Sequence, residues 1–212
     1  MRFVRDNTVV AHAPLVPEIA LHLATEVTPL WQATELTLEQ TGLPPPFWAF
    51  AWPGGQALAR FVLDRPEWVR GKSVLDFAAG GGIGGIAAAM AGAPRVAVNE
   101  IDAFALAAIR LNAEANGVML DLIDRDVLEA PASGCDLILC GDVCYERPMA
   151  ERVLAWLQAS VAAGADALIA DPGRAYLPRS GLEEIACFDV PTPLDLENRA
   201  IMTTRVYRFL PR

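Results

Sequence analysis

The chain has 212 residues and a formal net charge of −9, with 17 lysines and arginines against 26 aspartates and glutamates. This balance argues against a nucleic-acid-binding protein and against binding to anionic membranes, because both need an excess of basic side chains. With 53% hydrophobic and 20% charged residues, the chain suits one domain with a large core, or one domain with an N-terminal extension.

The N-terminal third predicts an extension, residues 1–66, that packs on a domain formed by residues 67–212. Residues 17–25 predict a short helix, with a proline in its first turn, where the missing amide is tolerated. Three prolines at positions 44–46 then interrupt regular structure. A second helix is predicted over residues 56–63, so the extension is expected to be helical.

From residue 73 onward, short apolar runs alternate with helical stretches, which is typical of βαβ units and a parallel sheet. The last two strands are joined by a proline-containing loop without a helix, so they must pair antiparallel. The fold class is therefore α/β, a doubly wound, Rossmann-like sheet of seven strands, mostly parallel, with an antiparallel C-terminal pair. The strands are predicted at 73–77, 95–99, 120–123, 136–140, 165–170, 184–190 and 201–209, and the helices at 83–91, 103–116 and 148–162.

A glycine-rich turn follows the first of these strands, in the sequence VLDFAAGGGIGG of residues 74–85. In open α/β sheets, ligands bind outside the carboxyl ends of the strands, where such a turn lies. Gly80, Gly82 and Gly85 match the dinucleotide fingerprint, and Glu100 follows 20 residues after the first of them. Taken alone, this match leaves NAD and S-adenosylmethionine as rival cofactors.

The acidic residues near the turn favour S-adenosylmethionine over NAD. Asp76 precedes the glycines on the strand, where a carboxylate would repel a pyrophosphate. S-adenosylmethionine has no phosphate, and its ammonium, ribose hydroxyls and adenine amino group suit Asp76, Glu100 and Asp126 respectively, with the Val127 backbone near the adenine. The excess acid lies mostly in residues 100–151, as a solvated face or as a cleft suited to a cation.

Residues 73–146 resemble the class I, seven-β-strand S-adenosylmethionine-dependent methyltransferases. Within that superfamily, the block 44–66 (PPPFWAFAWPGGQALARFVLDRP), the glycine loop, NEID and GDVCYE resemble bacterial relatives of the electron-transfer-flavoprotein β-subunit lysine methyltransferases. That group is also labelled nicotinamide N-methylase-like, and segment 171–177 (DPGRAYL) resembles it too. The family loop usually begins with glycine, whereas this chain has Ala78, which fits if its φ is negative.

The resemblance implies a protein-lysine N-methyltransferase that acts on the electron transfer flavoprotein β subunit. Its Asp-x-x-Tyr element corresponds to Asp142, which would orient the substrate amine while water removes the proton, and to Tyr145, which would form a wall of the slot. Arg174 and Tyr176 are expected to contact the protein substrate, although Arg174 also suits a loop arginine paired with an acid. The residues expected to hold the cofactor are Trp52, Asp76, Ala78, Gly80, Gly82, Glu100, Ile101, Asp126, Val127 and Asp142.

The cysteines, the histidines and the N-terminus bear on metal binding and on the cellular compartment. The four cysteines form no CxxC pair and both histidines are distant in sequence, so no metal site is expected. Nothing requires disulfides and the N-terminus lacks a long apolar run, so a cytoplasmic protein is expected. The sequence leaves the oligomeric state open, with a monomer as the expectation, and the acidic charge predicts neither nucleic-acid nor membrane partners. The alternatives are a small-molecule N-methyltransferase, an NAD-linked oxidoreductase and a non-catalytic binding module.

Overall fold

A mixed α/β architecture is seen in the computed structural model, which describes residues 1–33, 38, 40, 42 and 45–210. The strands are β1 Val9–Ala13, β2 Val16–Leu23, β3 Ser73–Phe77, β4 Arg95–Asn99, β5 Asp121–Ile123, β6 Leu137–Gly141, β7 Asp166–Asp171, β8 Leu182–Pro191 and β9 Ile201–Phe209. The α-helices whose bounds fall within the described residues are α1 Arg2–Asp6, α2 Pro29–Gln32, α3 Pro53–Asp64, α4 Ile83–Met90, α5 Ala103–Ala115, α6 Arg147–Ala162 and α7 Leu194–Glu197, with 3₁₀ turns at Phe47–Ala49 and Pro66–Trp68.

The central sheet has seven strands in the order β5-β4-β3-β6-β7-β9-β8. Strands β5 to β7 are parallel, and β9 runs antiparallel to both β7 and β8. The predicted α/β fold is therefore confirmed, with every predicted strand from residue 73 onward present. The strand order reverses between β3 and β6, which is the switch point where ligands bind in open α/β sheets.

The central strands are buried on both faces, as expected for a parallel sheet covered by helices. Along β6, Leu137 and Leu139 belong to one core cluster, while Ile138 and Cys140 belong to the other, because successive side chains of a strand point to opposite faces. The first cluster includes residues of α3 and α4, and the second includes Trp156 of α6. This two-sided core fixes the carboxyl ends of β3 and β6 next to each other.

Helix α3 is part of the predicted extension and joins the main core. Its buried residues Ala57, Leu58, Phe61 and Val62 follow helical spacing and pack in the same cluster as β3 and α4. The extension and the domain thus share one core on this side of the sheet. The proposed boundary at residue 66 stays a prediction.

The helix predicted over residues 17–25 is wrong, because that segment forms β2 and pairs with β1 as an antiparallel hairpin. Two side-chain amides, one on α5 and one at its C-cap, hold the strand: Asn112 accepts from the His22 amide at 2.7 Å, and the C-cap residue Asn116 accepts from the Ala20 amide at 2.9 Å. These partners lie about 90 residues away in sequence and are invisible to local periodicity. The extension is therefore a hairpin with short helices.

Two smaller expectations concern the loop between β8 and β9 and the three prolines at positions 44–46. The loop between β8 and β9 contains the short helix α7, whereas the sequence predicts no helix there. Of the three prolines expected to interrupt regular structure, Pro44 lies outside the described residues.

The cysteines, the candidate metal ligands and the helices of the described part of the chain bear on three expectations from the sequence. All four cysteines are free, and Cys140 and Cys144 are buried in the core as small apolar side chains. Within the described ranges, no group of three or more His, Cys, Asp or Glu side chains is arranged to hold a metal ion. None of the described helices is long and apolar enough to cross a membrane.

Candidate active site

A cleft of about 740 Å³ lies at the carboxyl ends of the parallel strands, at the switch point between β3 and β6. Its walls come from the glycine loop, the residues that follow β4 and β6, and the aromatic segment before α3. Of the predicted site residues, those lining the cleft are Trp52, Asp76, Ala78, Gly80, Glu100, Ile101, Asp126, Asp142, Tyr145 and Arg174. Gly82, Val127 and Tyr176 lie outside that lining.

The glycine loop adopts left-handed backbone at three positions, two of which are glycines. Gly80 has φ +54° and Gly82, the N-cap of α4, has φ +80°. A Cβ at Gly82 would also come within 3.2 Å of Ile109, so this glycine allows the close packing of α4 on α5. The expectation of a negative φ at Ala78 is wrong, because its φ is +51°.

Replacing Ala78 by glycine should therefore stabilise the protein. An alanine in left-handed backbone raises the free energy of the folded state by about 1–2 kcal/mol. Glycine removes that strain, but it also raises the conformational entropy of the unfolded chain, which lowers stability by about 0.4–1 kcal/mol. The expected gain is about 0.5–1 kcal/mol, seen as a rise of roughly 2 °C in Tm for a chain of this size. Ala79→Gly is the matched control, since Ala79 is not among the left-handed residues, and it should lower Tm. A lower Tm for Ala78→Gly would contradict the strain.

Asp76, on β3, stabilises the first turn of α4, which follows the glycine loop. Its side chain is buried, and its Oδ2 accepts a hydrogen bond from the Gly85 amide of α4 at 2.7 Å. A Cβ at Gly84 would lie 2.9 Å from Oδ1, which explains a glycine there. Burial, with a smaller contribution from the charge of Glu100, raises the pKa of Asp76 to about 7.

The raised pKa of Asp76 makes stability depend on pH. The folded protein binds this proton more tightly than the unfolded chain, so stability falls as pH rises from about 4 to above 7. Asp76→Asn should flatten the fall in Tm between pH 5.5 and 7.5, while Asp121→Asn, at an exposed surface position, should leave it unchanged. Parallel Tm profiles of the Asp76 variant and the wild type would contradict this assignment.

Glu100 joins the glycine loop to the end of β4. Its Oε2 accepts from the Gly80 amide at 2.9 Å, and its Oε1 accepts from the amides of Ile101 and Asp102 at 2.7 and 3.2 Å. The carboxylate is thereby fixed at the cleft wall with part of its acceptor capacity free. One acceptor position remains on Oε2, and it suits a ribose hydroxyl of the cofactor expected from the sequence.

Asp126 is more exposed and already has partners within the protein. Its Oδ2 accepts from the Arg152 guanidinium at 2.7 Å, and its Oδ1 accepts from the Leu128 amide at 2.9 Å. The hydrogen bond from Arg152 is the main cause of the lowered pKa of Asp126. The side chain still lines the cleft, and the neighbouring Val127 packs against the core cluster around α6.

Asp142 follows β6 in left-handed backbone, with φ +55°. Its Oδ2 accepts from the amides of Gly54 and Gly55 at 2.6 and 3.2 Å, so this carboxylate binds the N-terminus of α3. Its Oδ1 accepts from the Arg174 guanidinium at 3.0 Å. Burial raises the pKa of Asp142 to about 6, although the charge of Arg174 opposes the rise.

Aromatic side chains form the wall around Asp142. Trp52 donates from Nε1 to the Phe47 carbonyl at 2.7 Å, and the Arg174 guanidinium carbon lies 5.9 Å from the centre of its ring. Tyr145 lies 5.9 Å from Phe47, ring centre to ring centre. Tyr176 instead binds the Cys144 carbonyl through its amide, at 3.1 Å, away from the cleft lining.

Sequence reasoning missed the glycines at the start of α3 and the acid that pairs with Arg174. A Cβ at Gly54 would lie 2.5 Å from Asp142 Oδ2, and one at Gly141 would lie 2.8 Å from the Gly55 amide nitrogen. The double glycine after Pro53 was the available signal, since two glycines directly before the helix predicted over residues 56–63 indicate a close approach of another part of the backbone. Nothing in the sequence pointed to Glu197, which accepts from Arg174.

Known proteins match this chain over almost its whole length. A family model described as "Methyltransferase small domain" matches residues 53–142, which run from the start of α3 to Asp142. The electron transfer flavoprotein beta subunit lysine methyltransferase of Danio rerio is 37% identical over 98% of this chain and 82% of its own length. The chain belongs to this family of methyltransferases. The Homo sapiens relative is 36% identical over 99% of the chain and 81% of its own length, and a Caenorhabditis elegans homolog is 33% identical over 95% and 92%.

Solved structures of other methyltransferases share the fold. Magnesium protoporphyrin IX methyltransferase from Synechocystis, with bound S-adenosylhomocysteine, aligns with a TM-score of 0.52 at 18% identity, covering 75% of this chain and 85% of its own. The ribosomal protein L11 methylase of Lactobacillus delbrueckii aligns with a TM-score of 0.51 at 19% identity, covering 75% and 79%. The predicted methyltransferase class is confirmed, and family membership rules against the NAD-linked oxidoreductase.

Proposed function

We propose that this chain transfers a methyl group from S-adenosylmethionine to a lysine side chain of the electron transfer flavoprotein β subunit. The observation that carries the proposal is its identity of 33–37%, over 95% or more of the chain, to relatives that are named for this activity. The open cleft ending at Asp142 supports it from the geometry.

The chemistry of the cleft lining suits S-adenosylmethionine. Carboxylates surround the glycine loop, and both arginines of the lining, Arg152 and Arg174, are already paired with acids. A diphosphate would meet Asp76 and Glu100 without a free guanidinium in this lining, whereas a cationic, phosphate-free ligand would meet favourable charge. When bound, this cofactor supplies an electrophilic methyl group on a sulfonium. Glu100 would hold its ribose, and Asp126 and Val127 would lie by its adenine.

The residues of the chain would then act by positioning a neutral amine. Free lysine has a pKa of about 10.4, and transfer from water to the cleft lowers it by disfavouring the charged form. Asp142 can accept a hydrogen bond from the amine, which directs the nitrogen lone pair. Because Arg174 offsets the charge of Asp142, the carboxylate holds the amine without strongly stabilising the ammonium form, and the proton leaves to water.

The exposed aromatic rim favours a protein substrate over a small molecule. Phe47 and Tyr145 are 48% and 45% exposed, and Ile101, which lines the same cleft, is exposed too. A small-molecule enzyme would need a narrow, enclosed pocket, whereas this cleft opens onto apolar side chains that an attached lysine would pass. Aromatic faces also attract a cationic head group on its way in.

Labelled cofactor distinguishes these substrates. The protein is incubated with a lysate and with purified electron transfer flavoprotein, and the labelled species is identified by mass spectrometry. Label on a lysine of the β subunit is expected. Label confined to a small metabolite would overturn the proposal in favour of the small-molecule alternative.

The remaining expectations belong to the same proposal. The chain acts as a monomer in the cytoplasm, and neither nucleic acid nor membrane is a partner. The acidic net charge supports the absence of nucleic-acid and membrane partners, because both need an excess of basic side chains. Sedimentation at micromolar concentration tests the oligomeric state. Localisation of the labelled protein in intact cells tests the cellular compartment.

A further inference from the structure

A buried ion pair between Glu197 and Arg174 lies next to Asp142, the proposed catalytic carboxylate. The side chain of Glu197, at the end of α7, is only 5% exposed, and both of its oxygens accept from Arg174, at 2.5 Å from Nη2 and 3.0 Å from Nη1. Nη2 of Arg174 also donates to Asp142 Oδ1. Glu197 thus contacts Asp142 only through Arg174.

Arg174 is held in one orientation by three neighbours. Glu197 engages two nitrogens of the guanidinium, Asp142 engages one, and the Trp52 ring lies 5.9 Å from its central carbon. Arg174 and Asp142 line the cleft, whereas Glu197 does not. A buried carboxylate outside the cleft needs a cationic partner, and here that partner is a residue of the site.

The contact between Glu197 and Arg174 affects how many hydrogen-bond acceptor positions of Asp142 stay open. A carboxylate has about four lone-pair positions. Two amides of α3 use Oδ2 and one nitrogen of Arg174 uses Oδ1, so one position on Oδ1 remains. If Glu197 released the guanidinium, its planar fork would be free to pair with the carboxylate through two nitrogens.

We infer that Glu197 is a positioning residue that holds Arg174 to a single contact with Asp142 and so keeps one acceptor position open for the substrate amine. The role rests on the proposed function, because the open position matters only if an amine enters. Glu197 itself touches neither substrate nor cofactor, and it acts through Arg174.

Glu197→Gln tests this role, because glutamine preserves the size and one acceptor but removes the charge. The expected result is a loss in kcat of about tenfold to a hundredfold, the size of effect that misplacement of a reacting group produces, with the Kd of S-adenosylmethionine unchanged within a few-fold. Glu18→Gln is the matched control, since Glu18 shares Arg60 with Asp64 in a second arginine-centred group and lies outside the cleft lining. Its kcat should equal that of the wild type.

A double-mutant cycle separates positioning from simple structural support. In an Arg174→Gln background, Glu197→Gln should have no further effect on kcat, because its route to Asp142 is gone. Equal kcat values for Glu197→Gln and Glu18→Gln, or additive losses in the cycle, would overturn the inference while leaving the proposed function intact. A wild-type protein that methylates no lysine would overturn the proposed function and this role with it.

Discussion

Replacing Asp142 by asparagine is expected to lower methyl transfer to lysine by about a hundredfold, the scale of positioning effects, while the Kd of the cofactor stays within a few-fold. The variant keeps the size of the side chain but has one acceptor oxygen for three donors, the amides of Gly54 and Gly55 and the guanidinium of Arg174. No acceptor then remains for the substrate amine. Turnover and cofactor calorimetry on the same preparation measure the two effects.

The same substitution should also lower stability, because Asp142 holds the start of α3 against β6. Leaving buried donors without an acceptor costs about 1–3 kcal/mol, so activity must be measured well below the Tm of the variant. Asp136→Asn is the matched control, since Asp136 precedes the opposite end of β6 and accepts from Ser73 far from the cleft. Full activity in the folded Asp142 variant would remove this residue from the mechanism.

Replacing Glu100 by alanine is expected to weaken binding of S-adenosylmethionine by about a hundredfold. Hydrogen bonds to a charged group contribute about 1.5–3 kcal/mol, and about 1.4 kcal/mol corresponds to a factor of ten. The variant loses the proposed contacts to the ribose and also the bond from Glu100 to the Gly80 amide, which orders the loop. Calorimetric titration of the apoprotein with the cofactor measures the change directly.

Because Glu100 acts in binding, saturating cofactor should restore most of the turnover of its variant, in contrast to the Asp142 variant. Glu114→Ala, at an exposed position on α5, is the control and should bind the cofactor like the wild type. Unchanged affinity in the Glu100 variant would show that this carboxylate only closes the loop. The ribose would then need a different acceptor.

Much of the cleft was predictable from the sequence because its parts are local. The strand–glycine–helix pattern of residues 74–85 identified the loop, and Glu100 follows it at a spacing that places it at the end of the next strand. The acidic stretch 100–151 contributes Glu100, Asp126 and Asp142 to the cleft, as expected for a cationic ligand. Short apolar runs and helical patterns sufficed for the alternating elements, because a strand buried on both faces is apolar along its whole length and a helix repeats its apolar face every three to four residues.

By itself, the sequence determined the α/β class, the seven strands that follow one another from residue 73 onward, and the glycine-rich loop. It also placed the acids Glu100, Asp126 and Asp142 after successive strands. Only the tertiary structure decided that residues 16–23 form a strand, that Ala78 takes a left-handed φ of +51°, and that Asp142 binds α3 and Arg174. These features depend on groups that are distant along the chain, such as Gly54 and Glu197. Local propensity carries no information about such partners, because their contribution exists only once the sheet has brought them together.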